Sequence, residues 1–328
     1  MDVDKRRLVE VGLIVVIAAA VIQNPLSSQY VYGLKDAASE VAVSQNKLYS
    51  DIENAAQQFS IPPQNAKIDK VWKTIPGYNG LEVDIKASYE KMKKSKKFNE
   101  QKLIFKQLPP SVHLKDLPPS PIYKGNPDKP MVSLLINVAW GNEYLPDMLA
   151  TLKKNDVKAT FFLEGRWVKE NPNLAKMIVE AGNEVGNHSY SHPDMKKLTN
   201  GRITEELQKT NDVIEATTGE KVKWFAPPSG SYRDDVVNIA SGLHLGTIMW
   251  SVDTIDWQKP SPQVLLQRVT SKVHPGAMIL MHPTESSSKA LDALIKEIKK
   301  KQLRFGTVSD LVNEERIIKL PAPLSEKQ

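Results

Sequence analysis

Residues 131–163 read MVSLLINVAWGNEYLPDMLATLKKNDVKATFFL, and the following part of the chain repeats the pattern of this stretch. Met131–Val138 is an almost uninterrupted apolar run, which is typical of a strand buried on both faces. Apolar residues follow with the spacing i, i+3, i+4, i+7 of one helix face: Leu145, Met148, Leu149 and Leu152. Lys158–Leu163 is a second strand-like run. The stretch therefore predicts a strand, a helix and a strand, with the helix covering a parallel sheet.

Further strands and helices of the same kind extend the pattern. The additional strand-like runs are Asn183–Asn187, Lys221–Ala226, Leu245–Asp253, Gly276–Met281 and Leu303–Val308. Two more helical stripes have the same spacing: Leu174, Met177, Ile178 and Ala181, then Leu291, Leu294, Ile295 and Ile298. About seven parallel strands in this length predict an α/β fold, a deformed (β/α) barrel that is closed or nearly closed. No G-x-G-x-x-G follows the first strand, so the phosphate-binding loop of a dinucleotide fold is missing.

The N-terminal residues resemble a targeting segment. Lys5, Arg6 and Arg7 precede the apolar run Val11–Ile22, as the basic and hydrophobic regions of a secretory signal do. The run is shorter than the roughly 20 residues that span a hydrocarbon core. The predicted organisation is a signal peptide or membrane anchor (1–25), a small basic α+β domain (34–108), a Pro-rich linker (109–130), the barrel (131–317) and a tail (318–328). We therefore expect an extracytoplasmic protein, secreted or anchored on the outer face of the cytoplasmic membrane.

The small domain has its own pattern. Lys35–Phe59 predicts a helix, and Ala66–Ile75 and Leu81–Lys86 predict two strands joined by a hairpin-like turn. A lysine-rich helix and the apolar run Leu103–Phe105 follow. Seven prolines between Pro109 and Pro130 then predict a stiff, extended connector, because proline fixes φ and has no N–H.

Positive charge is concentrated before the barrel. Residues 26–130 carry 16 Lys, no Arg and 11 acidic residues, a net charge of +5, whereas residues 131–328 carry a net charge of +1. This excess predicts electrostatic attachment to an anionic wall polymer or a membrane surface, and a solvated lysine face is the alternative. Nucleic acid is not an expected partner, since this part has no arginine to form phosphate or base contacts.

Polar residues of the types used in catalysis fall at the C-terminal ends of predicted strands, where barrel enzymes build their sites. His188 and His192 follow the third strand, Asp253 and Asp256 end the fifth, and His282 follows the sixth. The two histidines would share one face if their stretch turns helically, but a zinc site needs a third protein ligand. The chain has no cysteine, which excludes a thiol nucleophile, a Cys-ligated metal and disulfides.

Five segments in this order resemble the NodB-homology polysaccharide deacetylases, carbohydrate esterase family four, over about residues 131–312. The matching segments are ATFFLEG (159–165), GNHSYSHP (186–193), FAPPSG (225–230), WSVDTIDW (250–257) and ILMHP (279–283). An N-terminal signal or anchor with an extra domain is similar to the deacetylases of spore-forming Gram-positive bacteria. The resemblance does not extend to residues 1–130.

The resemblance implies a role for each matching residue. In the family, a divalent metal of the zinc type is held by one Asp and two His, polarises the acetamide carbonyl and lowers the pKa of a bound water. His188 and His192 would be metal ligands, and His282 would be the general acid that protonates the leaving amine. Asp256 would orient His282, and Leu280 would line the acetyl pocket. The groove residues would be Trp257, Leu280, Tyr190, Trp140 and Pro227.

The first family motif departs from the pattern. The family has two adjacent aspartates before a glycine, a base and a metal ligand, where this chain has Ala139 and Trp140. Alanine cannot accept a proton, and tryptophan offers only an N–H donor. Ala226 also replaces the arginine that orients the base. Any divalent metal would therefore be weakly held or absent, unless a backbone shift lets Asn142 or Glu143 substitute.

Two functions stay open at this point. One is an impaired hydrolase that de-N-acetylates a cell-wall glycan containing N-acetylglucosamine. The other is a catalytically inactive pseudoenzyme that binds glycan in the cell wall or spore envelope. A protease or nuclease is not expected, because the chain has no H-E-x-x-H and no nucleophile elbow. The sequence leaves the oligomeric state open.

Overall fold

The computed structural model describes Ala18 and residues 24–318, and within 36–46 it describes the backbone only. Apart from Ala18, the apolar run of the predicted signal or anchor lies outside the described residues, as does the predicted tail after Ile318. Among the residues described, no helix combines the length and the apolar character needed to cross a membrane.

The chain divides into two compact units. Of the described residues, the first unit contains 24–60 and 82–106, and the second contains 61–81 and 107–318. The strands are β1 (Lys67–Asp69), β2 (Lys73–Ile75), β3 (Gly80–Val83), β4 (Phe105–Leu108), β5 (Met131–Val138), β6 (Thr160–Leu163), β7 (Glu184–Asn187), β8 (Trp224–Phe225), β9 (Gly246–Thr247), β10 (Val252–Asp253), β11 (Met278–Met281) and β12 (Arg304–Phe305). The helices are α1 (Pro25–Phe59), α2 (Ile85–Met92), α3 (Leu145–Lys154), α4 (Gly165–Glu170), α5 (Pro172–Glu180), α6 (Asn200–Thr218), α7 (Asp234–Gly242), α8 (Pro262–Thr270), α9 (Glu285–Lys300) and α10 (Val308–Val312).

The first unit is built on the long helix α1, which begins ten residues before the predicted start at Lys35. The Asn24 side chain caps the helix by accepting from the Leu26 N–H at 2.9 Å, and Pro25 occupies the first turn, where its missing N–H costs nothing. The buried residues of the unit are Leu48, Ile52, Ala55, Val83, Met92 and Leu103. This cluster packs one face of α1 against α2 and the chain that follows it.

The strand pairing in the N-terminal part differs from the predicted hairpin. The single strand expected over Ala66–Ile75 is two antiparallel strands, β1 and β2. The Asp69 carboxylate accepts from the N–H groups of Val71 and Trp72, both at 2.8 Å, and so forms the turn between them. The second predicted strand, Leu81–Lys86, overlaps β3. This strand pairs with β4, which lies more than 20 residues further along the chain, and not with β1 or β2.

The second unit confirms the predicted deformed (β/α) barrel. Its strands pair in the order β10-β11-β5-β6-β7-β8-β9, and β12 also pairs with β5. Every pairing in this sheet is parallel. The predicted helical stripes of α3, α5 and α9 supply buried residues to the main core, including Leu152, Ile178 and Leu294. The sheet therefore directs the C-terminal ends of its strands toward one edge.

One predicted strand of the barrel is split. The run Leu245–Asp253 contains β9 and β10, which lie at opposite ends of the strand order. Between them, Ile248 forms a parallel bridge with Ile122, and the Met249 N–H donates to the Ile122 carbonyl at 2.8 Å. The chain at Ile122 thus takes a pairing position that a continuous strand would have used.

The segment 109–130 differs from the predicted linker. It belongs to the second unit, and Ile122, Asn126 and Lys129 within it are buried. The Ile122 N–H donates to Thr247 O at 2.9 Å, and the Gly125 N–H donates to Gly276 O at 2.8 Å. Proline removes its own donor only, so the residues between the prolines still form hydrogen bonds to the barrel.

Lys129 is a charged side chain inside this unit. It is 1% exposed, and its Nζ donates to Asp310 O and to the backbone and side-chain oxygens of Asn313. Burial lowers its pKa from 10.5 to about 8, although Asp310 and Glu315 oppose the shift. The lysine therefore ties the segment before β5 to the chain at the end of α10.

We expect the stability of the protein to rise with pH between about 8 and 10.5 because of Lys129. In this window the unfolded chain binds a proton at this lysine and the folded chain does not, which contributes up to about 1.4 kcal/mol per pH unit. Urea unfolding of wild type and Lys129→Met at pH 8 and pH 10 should show a smaller rise for the variant. The control Lys301→Met removes an exposed positive charge, and equal slopes for wild type and Lys129→Met would contradict the prediction.

Candidate functional site

A cavity of about 530 Å³ opens at the C-terminal edge of the barrel sheet. It lies beside the ends of β5, β7, β10 and β11. The lining residues are Asn137, Ala139, Trp140, His188, His192, Ser229, Trp250, Asp253, Trp257, Leu280 and His282. Parallel pairing therefore brings together residues that are up to 145 positions apart in the sequence.

The loop after β7 carries the two predicted histidine ligands. It is not the helical turn expected from the H-x-x-x-H spacing, since Ser189 and His192 adopt left-handed backbone conformations, with φ of 61° and 55°. These bends still bring the two imidazoles together, with ring centroids 5.1 Å apart. The buried Glu206 carboxylate stabilises the loop by accepting from the N–H groups of Tyr190 and Ser191, both at 2.8 Å.

His188 is held as a neutral imidazole. It is 1% exposed, and burial lowers its pKa to about 3, with a further contribution from the nearby His192. Its Nδ1 lies 2.7 Å from the carbonyl oxygen of Ala226, so Nδ1 carries the hydrogen and donates it. The neutral ring then has Nε2 as an acceptor. Burial also lowers the pKa of His192.

His282 is oriented by a buried carboxylate. Its Nδ1 is 2.7 Å from Asp256 Oδ1, and its backbone N–H donates to Asp256 Oδ2 at 2.6 Å. The Ser287 hydroxyl donates to the same Oδ2. Asp256 is fully buried, so these donors compensate for the loss of its hydration.

Trp140 lies directly against this histidine. The two rings are stacked, with centroids 5.7 Å apart and planes inclined by 10°. The following Gly141 has a φ of +83°, and a Cβ at this position would lie 2.0 Å from the carbonyl oxygen of Pro283. This close approach of the chains after β5 and β11 requires glycine and brings Trp140 beside His282.

The predicted groove residues divide into two groups. Trp140, Trp257 and Leu280 line the cavity, and the two tryptophans are 46% and 57% exposed. Tyr190 and Pro227 are not among its lining residues. The Tyr190 ring lies against Gly165 and under the Lys209 ammonium, and Pro227 is buried before a short turn.

Comparison with known proteins identifies the family. A family model described as polysaccharide deacetylase matches residues 124–248. The chain is 57% identical over 298 residues to the uncharacterized protein YlxY of Bacillus subtilis. The aligned region covers 91% of this chain and 93% of YlxY. It is 32% identical to a peptidoglycan-N-acetylglucosamine deacetylase of Bacillus cereus, over 58% of this chain and 70% of that protein. This chain belongs to the polysaccharide deacetylase family.

A solved structure of this family is also similar to the chain. It is a carbohydrate esterase family 4 pseudoenzyme from Bacillus anthracis, 61% identical, with a TM-score of 0.79 over 82% of this chain and 96% of that chain. A mutant of the same pseudoenzyme is described as having restored enzymatic activity. These similarities confirm the predicted family and the predicted fold.

The residues present do not fit the divalent metal of the deacetylase family. Among the residues that the structure describes, no three His, Cys, Asp or Glu side chains form a group that could hold a metal. The imidazole rings of His188 and His192 lie next to each other. However, Ala139 presents a methyl group and Trp140 an indole at the positions where the family has carboxylates. Two neutral imidazoles provide only part of a zinc site, which takes at least three protein ligands.

Neither neighbouring polar residue replaces the missing carboxylates. The Asn142 amide accepts from Trp167 Nε1 at 2.6 Å and donates to Asn171 Oδ1 at 2.8 Å. Glu143 lines a second cavity of about 810 Å³, which shares Trp140 and Trp257 with the first. The backbone shift considered for these residues is therefore not present in this structure.

Some residues of the site were not singled out from the sequence. Asn137, Ser229 and Trp250 line the cavity, although no pattern in the sequence marked them. Glu206 and Ser287 act on the site from α6 and α9 through hydrogen bonds to the histidine loop and to Asp256. These hydrogen bonds form between chain segments that meet only in the folded barrel.

We expect the His188 imidazole to stay neutral down to mildly acidic pH. Its proton NMR signals should show no titration between pH 8 and 5, with a His188→Gln variant for assignment, because burial holds its pKa near 3. The unfolded chain takes up this proton near the ordinary pKa of 6.5, so this histidine lowers stability as pH falls from 6.5 toward 3. A midpoint above pH 5 would contradict the assignment.

Proposed function

We propose that this member of the polysaccharide deacetylase family is a pseudoenzyme that binds a cell-wall glycan containing N-acetylglucosamine and does not hydrolyse it. The observation that carries the proposal is the Trp140 indole stacked on His282, next to Ala139. The protein thus has a tryptophan and a methyl group where the family chemistry needs a base and a metal ligand.

The size of the loss supports this proposal. A general base contributes about 10²–10⁴-fold to such reactions, and Ala139 has no group that accepts a proton. The family reaction also needs a metal to polarise the acetamide carbonyl, and the side chains of this cavity do not form a metal site. The His282–Asp256 pair still positions a proton donor, but leaving-group protonation follows nucleophilic attack, which has no activating group here.

Features suited to glycan binding are retained. Trp140 and Trp257 are exposed aromatic side chains at a concave surface, and a second cavity of about 810 Å³ adjoins them. Large exposed aromatics of this kind mark interaction sites, and their faces suit the apolar faces of sugar rings.

A slow hydrolase is the second candidate function. The specific observation in its favour is the hydrogen-bonded pair of His282 and Asp256, at 2.7 Å, which matches the geometry of a positioned general acid. Under this alternative, water attacks without activation by a base or a metal.

We also propose an extracytoplasmic location, at the cell wall. It is supported by the basic and apolar N-terminal segment of the sequence and by the peptidoglycan deacetylases among the relatives. A cluster of exposed lysines lies at the end of α2 and directly after it, in the first unit: Lys91, Lys93, Lys94, Lys96 and Lys97. We assign attachment to an anionic wall polymer to this lysine cluster.

Acetate release separates the two candidates. Incubation with peptidoglycan or N-acetylglucosamine oligomers, with added zinc or cobalt, should give no acetate above the level of a His282→Ala control. Release that exceeds this control and depends on His282 would establish the slow hydrolase instead.

Restoring the family residues tests the same explanation in the opposite direction. The combined substitutions Ala139→Asp, Trp140→Asp and Ala226→Arg should create zinc binding and acetate release, because they supply the base, the third metal ligand and the charge that orients the base. The mutant of the related pseudoenzyme with restored activity supports this expectation. Zinc binding is measured separately, so a folded, zinc-loaded triple variant without activity would contradict our explanation of the loss.

Glycan binding should depend on Trp257. Trp257→Ala is expected to weaken binding of wall glycan about tenfold, since it removes an exposed aromatic face worth roughly 1–1.5 kcal/mol. The matched control is Trp72→Ala, at a partly exposed tryptophan outside both cavities. Co-sedimentation with purified wall material measures both, and equal binding by the two variants would argue against this groove.

A further inference from the structure

We propose that the 530 Å³ cavity prefers an amino sugar in its free-amine, de-N-acetylated form over the N-acetylated form. This inference rests on the proposed glycan-binding function and specifies the ligand of the same cavity. Three independent features of the lining carry it: its charge, its hydrogen-bonding groups and its aromatic surface.

The fixed charge of the lining favours a cation. Asp253 is the carboxylate that reaches the cavity, and neither lysine nor arginine is among the lining residues. Asp253 Oδ1 accepts from the Ile255 N–H at 2.7 Å, and Ile255 has a left-handed φ of 53°. This tight turn fixes the carboxylate at the cavity wall, where an ammonium group would gain a charge-assisted hydrogen bond.

The hydrogen-bonding groups of the floor favour a donor. Asn137 is 4% exposed, and its side-chain oxygen has no hydrogen-bond partner within the described part of the chain. This oxygen has almost no accessible surface and does not face a ligand in the cavity. His188 Nδ1 donates to the Ala226 carbonyl oxygen, which leaves Nε2 as the ring nitrogen that can accept a hydrogen bond from a ligand.

The aromatic lining also suits a cation. Trp140, Trp250 and Trp257 all line the cavity, and an ammonium group near an indole face gains about 0.5–2 kcal/mol from the ring quadrupole. An acetamide does not gain this interaction. Its carbonyl oxygen would instead meet the Nε2 acceptor of His188, in a cavity whose described residues do not form a metal site to polarise it.

Replacement of the two family aspartates therefore changes what the cavity recognises. A cavity that no longer activates water against an acetamide can bind the amine that active deacetylases of the same wall produce. The overall charge of the chain is +6, so a preference for a cationic ligand cannot arise from general electrostatic attraction. It has to come from the groups that line this cavity.

Binding of two matched ligands tests the inference. Calorimetry at pH 6 with EDTA compares the tetramer of glucosamine, whose amines are protonated, with the tetramer of N-acetylglucosamine. We expect the free-amine tetramer to bind wild-type protein at least tenfold more tightly. Asp253→Asn should reduce binding of the free-amine tetramer about tenfold, and by a larger factor than it reduces binding of the acetylated tetramer.

The matched control is Asp212→Asn, which removes the same charge at an exposed position outside the cavities and should preserve the preference. Equal binding of both tetramers, or a preference for the acetylated one, would overturn the inference and leave the glycan-binding function standing. If neither tetramer nor peptidoglycan binds, the proposed function fails as well.

Discussion

The parallel pairing of β5 with β11 and β6 is the constraint on which the site depends. Leu135 on β5 is in register with Leu280 on β11 and with Thr160 on β6. Because these strands run in the same direction, the chain emerges from each of them at one edge of the sheet. Trp140 and His282 meet there through the close approach of Gly141 to Pro283.

The hydrogen-bonded pair of Asp256 and His282 is built into the fold. Asp256 accepts hydrogen bonds from the backbone and ring of His282 and from Ser287, and it is fully buried. Loss of this carboxylate would leave several buried donors without a partner, so the pair also has a structural role. Ala139 has no hydrogen-bonding side-chain group, and the Trp140 ring contacts the pair by stacking on His282.

Periodicity predicted the barrel well and the pairing of short elements less well. The bounds of β5 match the predicted run, because a long strand buried on both faces leaves a continuous apolar signal. The region Leu245–Asp253 has the same apolar signal but forms two short strands, since Ile122 pairs with Ile248 between them. The β1–β2 turn depends on the Asp69 side chain, and the start of α1 on the Asn24 cap. Such local hydrogen bonds depend on single side chains and are therefore harder to predict from the sequence than hydrophobic periodicity.

The sequence by itself determined the barrel, the family and the absence of two carboxylates, because these are properties of residue type, order and spacing. Only the tertiary structure decided that Trp140 stacks on His282, that Asn137 keeps an unpartnered oxygen and that Asp253 faces the same cavity. It also excluded Tyr190 and Pro227 from the lining and placed the proline-rich segment within the second unit. These outcomes depend on which side chains from distant segments share a small space, and the spacing of residues along one chain does not specify that.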